Sequence, residues 1–316
     1  MRILVTGGTG YLGQAIVRAA VTRGHEPVVF ARHASAARLT RYAIDGDVRD
    51  RTALVEAARG CEVICHAAAL VSIWQRDPRE FDAVNVGGLE NAIEAAKAVG
   101  VTRLVYTSSF LARPPAGHEA PIRANDYQRT KVLAHGVAER ARDAGVPIVL
   151  LYPGVLFGPG LLSEGNLLGR MLADQAAGRL PALIGPDRLW SFAWAESVAE
   201  AHIAAAERAA PGSAYALGGE NLPQVRAFEV AREHTGRPVP RRLPYWAASA
   251  IGAAEETRAR LTGRTPRLTR GAVEIFRHDW PLDSSAAVRD LNFRPLALVE
   301  GIRALLGDSR NEAMGQ

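Results

Sequence analysis

Lysine is almost missing from this chain. Of its 38 basic residues only Lys97 and Lys131 are lysines, and the rest are arginines. These arginines are scattered among 33 acidic residues with no basic stripe, so no nucleic-acid partner is expected. Cysteine is scarce too. Cys61 and Cys65 alone exclude a disulfide framework and are too few for a structural zinc site. The eight histidines show no ligand spacing, and no metal is expected. No apolar run approaches the ~20 residues of a membrane span. The longest candidate, "YWAASAIGAAEE", is short and mostly alanine, so no membrane is expected. A strand and a glycine loop begin at the second residue, which leaves no room for a secretory leader and points to the cytoplasm.

What is present is a regular alternation. Short apolar runs ("RILVTG", "EPVVFAR", "YAIDGD", "EVICHAAA", "TRLVYTSS", "PIVLLYPG") are separated by longer helical patterns that stop at Gly24, Gly60, Gly100 and Gly145. Apolar strands joined by helices predict an α/β fold with a doubly wound parallel sheet. Ligands of such sheets bind beyond the carboxyl ends of the strands. Past about residue 155 proline and glycine become dense and helices dominate. The expected organisation is a dinucleotide-binding domain over 1–155, joined again by a strand near 214–219. A smaller, mainly helical substrate-binding region follows over 156–316, and its last residues, "GDSRNEAMGQ", read as a loose tail.

"VTGGTGYLG" follows the first strand and opens the first helix. Gly8, Gly10 and Gly13 fit one phosphate-loop spacing, and Gly7, Gly10 and Gly13 fit another. Such a loop lets the backbone approach a pyrophosphate seated on the helix N-terminus, the mark of a Rossmann-type fold. The acid that grips the ribose of NAD belongs at the end of the second strand. Here that strand ends "VVFARH", with Arg32 where a 2′-phosphate would lie. NADP(H) is therefore the expected cofactor, with NAD(H) as the alternative.

Tyr127 and Lys131 stand four residues apart in "DYQRTKVLAHG", which sets them on one face of a helix. That spacing alone describes many helix surfaces. With the other motifs beside it ("TGGTGYLG", "DGDVRD", "HAAA", "NVGGLENAIEAAKAVGVTRLVYTSS", "YPGVLFGPG", "DSSAAVRDLNFRP"), nearly the whole chain resembles the extended short-chain dehydrogenase/reductases of the epimerase/dehydratase group. The resemblance implies that Gly7, Gly10, Tyr11, Leu12 and Gly13 line the pyrophosphate. It places Asp47 and Val48 on adenine, and His66, Ala67, Ala68 and Ala69 beside the riboses. Asn85 steadies neighbouring strands, and Tyr152, Pro153, Gly154 and Val155 flank the nicotinamide. Ser109, preceded by Ser108, is the catalytic serine, Tyr127 the acid/base and Lys131 its partner. The ammonium is expected to favour phenolate.

Phe110 and Leu111 follow Ser109 where sugar-nucleotide dehydratases carry an acid pair, and neither can move a proton. Trp190 takes the place of a diphosphate-gripping arginine two residues before Phe192. Phe110, Phe157, Met171, Trp190 and Phe192 join Ser109 as expected substrate contacts. This mix is similar to the dihydroflavonol-reductase and 3β-hydroxysteroid-dehydrogenase-like branch, which implies an apolar ketone, aldehyde or alcohol as substrate. A nucleotide-sugar epimerase using Arg170, Arg188 or Arg277 as its phosphate grip is the runner-up. A cofactor-binding regulator without catalysis is the third reading. The resemblance also implies a homodimer paired through the helices at about 79–98 and 126–144.

Overall fold

The computed structural model describes the backbone of residues 1–313 and the side chains of residues 1–307. The first half alternates β1 (Arg2–Thr6), α1 (Tyr11–Thr22), β2 (Glu26–Ala31), α2 (Ala34–Ala37), β3 (Tyr42–Asp45), α3 (Arg51–Ala58), β4 (Val63–His66), α4 (Arg79–Phe81), α5 (Gly88–Val99), β5 (Arg103–Thr107), α6 (Asp126–Asp143) and β6 (Ile148–Pro153). The second half continues with β7 (Val155–Phe157), α7 (Leu167–Ala176), β8 (Ala182–Leu183), β9 (Leu189–Trp194), α8 (Ala195–Arg208), β10 (Ala214–Leu217), β11 (Asn221–Pro223), α9 (Val225–Thr235), β12 (Arg241–Arg242), α10 (Tyr245–Thr262), α11 (Arg270–Ile275), α12 (Ser285–Leu291) and α13 (Leu298–Ala313).

Seven strands pair in the order β10-β6-β5-β4-β1-β2-β3, all parallel. The chain starts in the middle and winds outward twice, so strand order reverses between β1 and β4. A crevice opens at such a point. Both faces of the sheet are covered, which is why its strands read as continuous apolar runs rather than alternating ones. Ile16, Ala20, Val198, Ala205 and Leu291 from α1, α8 and α12 fill one side. Leu54, Leu89, Ala92, Ala134 and Ala138 from α3, α5 and α6 fill the other.

The second half does not stay apart from this sheet. After β9 the chain returns through α8 and β10, and later through α12, to the core of the large sheet. A separate layer, built on β11-β9-β7 with α7, α9 and α13, has its own core around Phe157, Leu168, Phe192, Phe228 and Ile302. The backbone of α13 is helical through Ala313, so the helix runs into the expected tail; residues 314–316 lie outside the described residues.

The helix expected without interruption before Gly100 contains a π-turn, Asp82–Gly87, between α4 and α5. Wider turns of this kind re-aim side chains locally and recur at functional sites. Here the turn carries Asn85.

Candidate active site

Gly7 follows β1 directly and adopts φ +70°, a conformation that favours glycine. A Cβ there would stand 2.7 Å from the Ala68 Cα, so the loop after β4 lies against the glycine loop. Gly13 is tighter still: its Cβ would sit 2.1 Å from the Gly7 carbonyl oxygen. Gly7 and Gly13 are thus the positions this turn reserves for glycine, while Gly8 packs on Val29 and Gly10 precedes the helix. The first helical bond inside α1 runs from Gln14 N–H to Gly10 O. The N–H groups of Tyr11, Leu12 and Gly13 therefore point out of the helix end, where they suit a pyrophosphate. This cradle, at the switch between β1 and β4, fits a dinucleotide.

The residues expected at the adenosine are more committed than the sequence implies. Arg49 grips the Asp47 carboxylate through Nε and Nη2 at 3.0 and 2.7 Å and holds it below the usual carboxylate range. Val48 is buried and its carbonyl accepts from Asn91 Nδ2 at 2.9 Å. Arg32 follows β2, is exposed, and has no ion pair among the described residues. Asp45 on neighbouring β3 turns its carboxylate onto the Ser35 N–H and hydroxyl.

Beyond β4, His66 is buried within the sheet and shares a 2.9 Å hydrogen bond with Thr6. Burial, then the nearby Lys131 charge, push its pKa down to about 3, so it is a neutral core histidine. Ala67 and Ala68 pass over Gly7, with Ala69 next in the chain. Asn85 does not reach the strands. Its Oδ1 accepts from Leu70 N–H at 2.7 Å, and its Nδ2 donates to Leu70 O and Thr130 Oγ1 at 3.2 and 3.0 Å. It ties the loop after β4 to α6.

The catalytic candidates meet at the end of β5. Ser109 caps a short 3-10 turn, Phe110–Ala112, its Oγ accepting from Leu111 N–H at 3.2 Å. That leaves its proton for another acceptor, and the hydroxyl is near enough to the Tyr127 phenol to lower its pKa a little. Asn125 caps α6 by accepting from Gln128 N–H, which fixes where Tyr127 leaves the helix. Gln128 is fully buried and donates to Leu111 O at 3.2 Å, binding the serine turn to α6. Lys131 Nζ donates to Thr107 O at 3.2 Å and lies 5.9 Å from the Tyr127 ring centre and 5.6 Å from that of Tyr106.

Charge at this cluster departs from expectation. Burial raises the Tyr127 pKa to about 12, against a smaller lowering by Ser109. Burial also pulls Lys131 down to about 8. Desolvation penalises both charged forms, so the ammonium does not make a phenolate here. Tyr127 holds its proton at neutral pH.

Thr107 is fixed in turn by a residue the sequence reading passed over. His202 of α8 is fully buried, its Nδ1 donating to Val198 O and its Nε2 bonding Thr107 Oγ1, both at 2.8 Å. Only pairing across the sheet brings α8 under β5, so no local spacing announces it. Gln128 was visible, since it sits between Tyr127 and Lys131, but its burial was not.

The remaining expected contacts divide. Phe157, Trp190 and Phe192 are 0, 3 and 1% exposed. They pack edge-on or tilted against one another and Trp194, as core of the smaller layer rather than open wall. Met171 and Phe110 are half-buried, and Phe110 meets Trp280 edge-on at 5.4 Å. Phe110 and Trp280 line a cavity of about 470 Å³ with Arg113 and His118. Tyr152 turns its hydroxyl to His135 Nδ1 at 3.2 Å, on the α6 side of the sheet. Pro153 still pairs with β10, Gly154 lies against Ser191 O, and Val155 starts the smaller sheet.

A dinucleotide cradle at the switch point, with a serine beyond β5 and a tyrosine and a lysine on α6, defines a nicotinamide-dependent oxidoreductase of the extended short-chain type. The chain belongs to the NAD dependent epimerase/dehydratase family, whose model matches residues 3–218. It is 31% identical over 334 residues to the 2-alkyl-3-oxoalkanoate reductase of Stenotrophomonas maltophilia, covering 98% of this chain and 99% of that one. It is 30% identical over 311 residues to sterol demethylase protein B of Methylococcus capsulatus, covering 93 and 94%. The UDP-glucose 4-epimerase structure from Thermotoga maritima shares the fold, with a TM-score of 0.79 at 20% identity over 99% of this chain and 100% of that one.

Proposed function

We propose that this enzyme reduces an apolar ketone or aldehyde, with NADP(H) as its preferred nicotinamide cofactor. The observation that carries the reading is the protonated Tyr127 next to Ser109, packed on the same apolar cluster as Phe110, Leu111 and Trp280. A bound nicotinamide supplies or accepts the hydride. The protein's part is the oxygen. Ser109 donates to the substrate carbonyl oxygen, and Tyr127 gives its proton to the alkoxide that forms. A phenol kept neutral by burial suits giving a proton, which is the reductive direction. Lys131, with N–H groups left beyond the Thr107 bond, is placed to hold the cofactor's ribose and to stabilise the phenolate left behind.

The names of the relatives agree with this reading: one is a reductase of oxoalkanoates, another acts in sterol demethylation. The arginines an epimerase would need for a diphosphate are already paired, Arg170 with Glu164, Arg188 with Asp279 and Arg277 with Glu274. Arg32, exposed and without an ion pair among the described residues, supports NADP(H) over NAD(H). Titration of wild type and Arg32→Ala with NADPH and NADH tests the cofactor: the variant is expected to lose about tenfold or more in NADPH affinity alone. Equal affinities in both proteins contradict it. Carbonyl specificity is tested by NADPH consumption across long-chain oxo acids, steroid ketones and aromatic ketones.

A further inference from the structure

Helix α10 presents a face that nothing in the structure covers. Its first ten residues carry no charge, yet only Ala248 and Gly252 among them are buried. Trp246, Ala250, Ala254, Thr257 and Leu261 are all exposed, Trp246 at 76% and Leu261 at 82%. They recur every three or four residues, so they form one uncharged stripe along the outside of the helix. At 1.5 Å per residue the stripe is about 22 Å long. The inner side is locked down: a Cβ at Gly252 would stand 2.9 Å from Arg270 N, so α10 lies hard against α11.

The charges around the stripe are of one sign. Glu255 and Glu256 are taken up by Arg258 and Arg270. Arg241 precedes the helix, Arg260 flanks Leu261, and Arg264 and Arg267 follow it; all four are exposed and have no ion pair among the described residues. Arg76 reaches the same end, 3.8 Å from where a Gly263 Cβ would stand. Positive charge therefore brackets an apolar stripe whose tryptophan marks one end. A second copy of the chain on this face would set arginine against arginine, which disfavours self-association. No helix among the described residues is long and apolar enough to cross a bilayer. A helix lying flat at an interface needs no such run: it needs an apolar face, an aromatic at headgroup depth and arginines for lipid phosphates.

We propose that α10 docks this protein on the surface of a membrane containing anionic lipid, with Trp246 and Leu261 in the headgroup–acyl boundary. Docking requires neither substrate nor cofactor, so it stands or falls separately from the reductase reading. The test is co-sedimentation of the full chain with vesicles of phosphatidylcholine alone and of phosphatidylcholine mixed equally with phosphatidylglycerol. Binding to the mixed vesicles is expected to exceed that to the neutral ones by about tenfold or more and to weaken in high salt. Trp246→Ser with Leu261→Ser is expected to lose binding at an unchanged melting midpoint, and Arg260→Gln with Arg264→Gln to lose the preference for the anionic lipid. Wild type left in the supernatant with both vesicles overturns the proposal. So does equal binding by the serine double variant, or self-association in light scattering that this variant abolishes.

Discussion

At the residue scale, the site rests on a neutral phenol and a lysine whose pKa burial pulls down to about 8. Replacing Tyr127 by Phe removes the proposed proton donor and little packing. Carbonyl reduction is expected to fall by about 10²–10⁴-fold, while cofactor affinity, measured by fluorescence titration, stays within about twofold. Lys131 carries a different signature. With its pKa pulled down to about 8, its charge is complete below that value and fades above it. The reductive kcat/KM is therefore expected to decline above about pH 8, and Lys131→Met to be slow without that alkaline limb. A limb that survives in the variant assigns it to another group.

At the element scale, the proposed catalytic residues are positioned by bonds that cross between elements. Asn85, from the π-turn, makes three hydrogen bonds that hold the loop after β4 to α6. Removing its side chain leaves buried groups unpaired, and Asn85→Ala is expected to destabilise by about 1–3 kcal/mol in urea unfolding. His202 plays the same part beneath β5. Its folded pKa is lowered to about 4 by burial, below the ordinary value of 6.5. The sign follows: the unfolded chain binds the proton first as pH falls through 6.5, so stability is lost between there and about 4. This histidine alone accounts for on the order of 3 kcal/mol of acid sensitivity. His202→Gln is expected to flatten that part of a stability–pH curve, and an unchanged slope contradicts the assignment.

These cross-element bonds also mark where sequence reading stopped. The strands of the large sheet, the glycine loop, Ser109 and the Tyr127–Lys131 pair were legible because each is a local pattern: an apolar run, a forced backbone or a helical spacing. The π-turn was not, since its residues continue the apolar periodicity of the helices on either side. His202 and Gln128 were not, since their roles exist only once α8 and the serine turn have docked. Phe157 and Phe192 read as pocket wall because apolarity alone does not separate a wall from a core. The expected drop in the Tyr127 pKa failed for a related reason. Spacing shows that an ammonium is near, but not how much water the pair has lost.

At the scale of the whole molecule, two-sided coverage of the sheet fixes the crevice, and the second half of the chain closes over it while returning α8 and β10 to the sheet. We propose that α5 and α6, which show Leu133 at 37% exposure, pair two copies of the chain; light scattering is expected to give twice the mass of one chain. Turnover tests the proposed carbonyl reduction most directly. NADPH consumption should be followed with long-chain oxo acids and apolar ketones, in wild type and Tyr127→Phe, with the product alcohol counted against NADPH oxidised. One alcohol formed per NADPH in wild type, and near silence in the variant, is the predicted result. A wild-type enzyme inert to every apolar carbonyl, but inverting a sugar nucleotide on a tightly retained NAD, would contradict it.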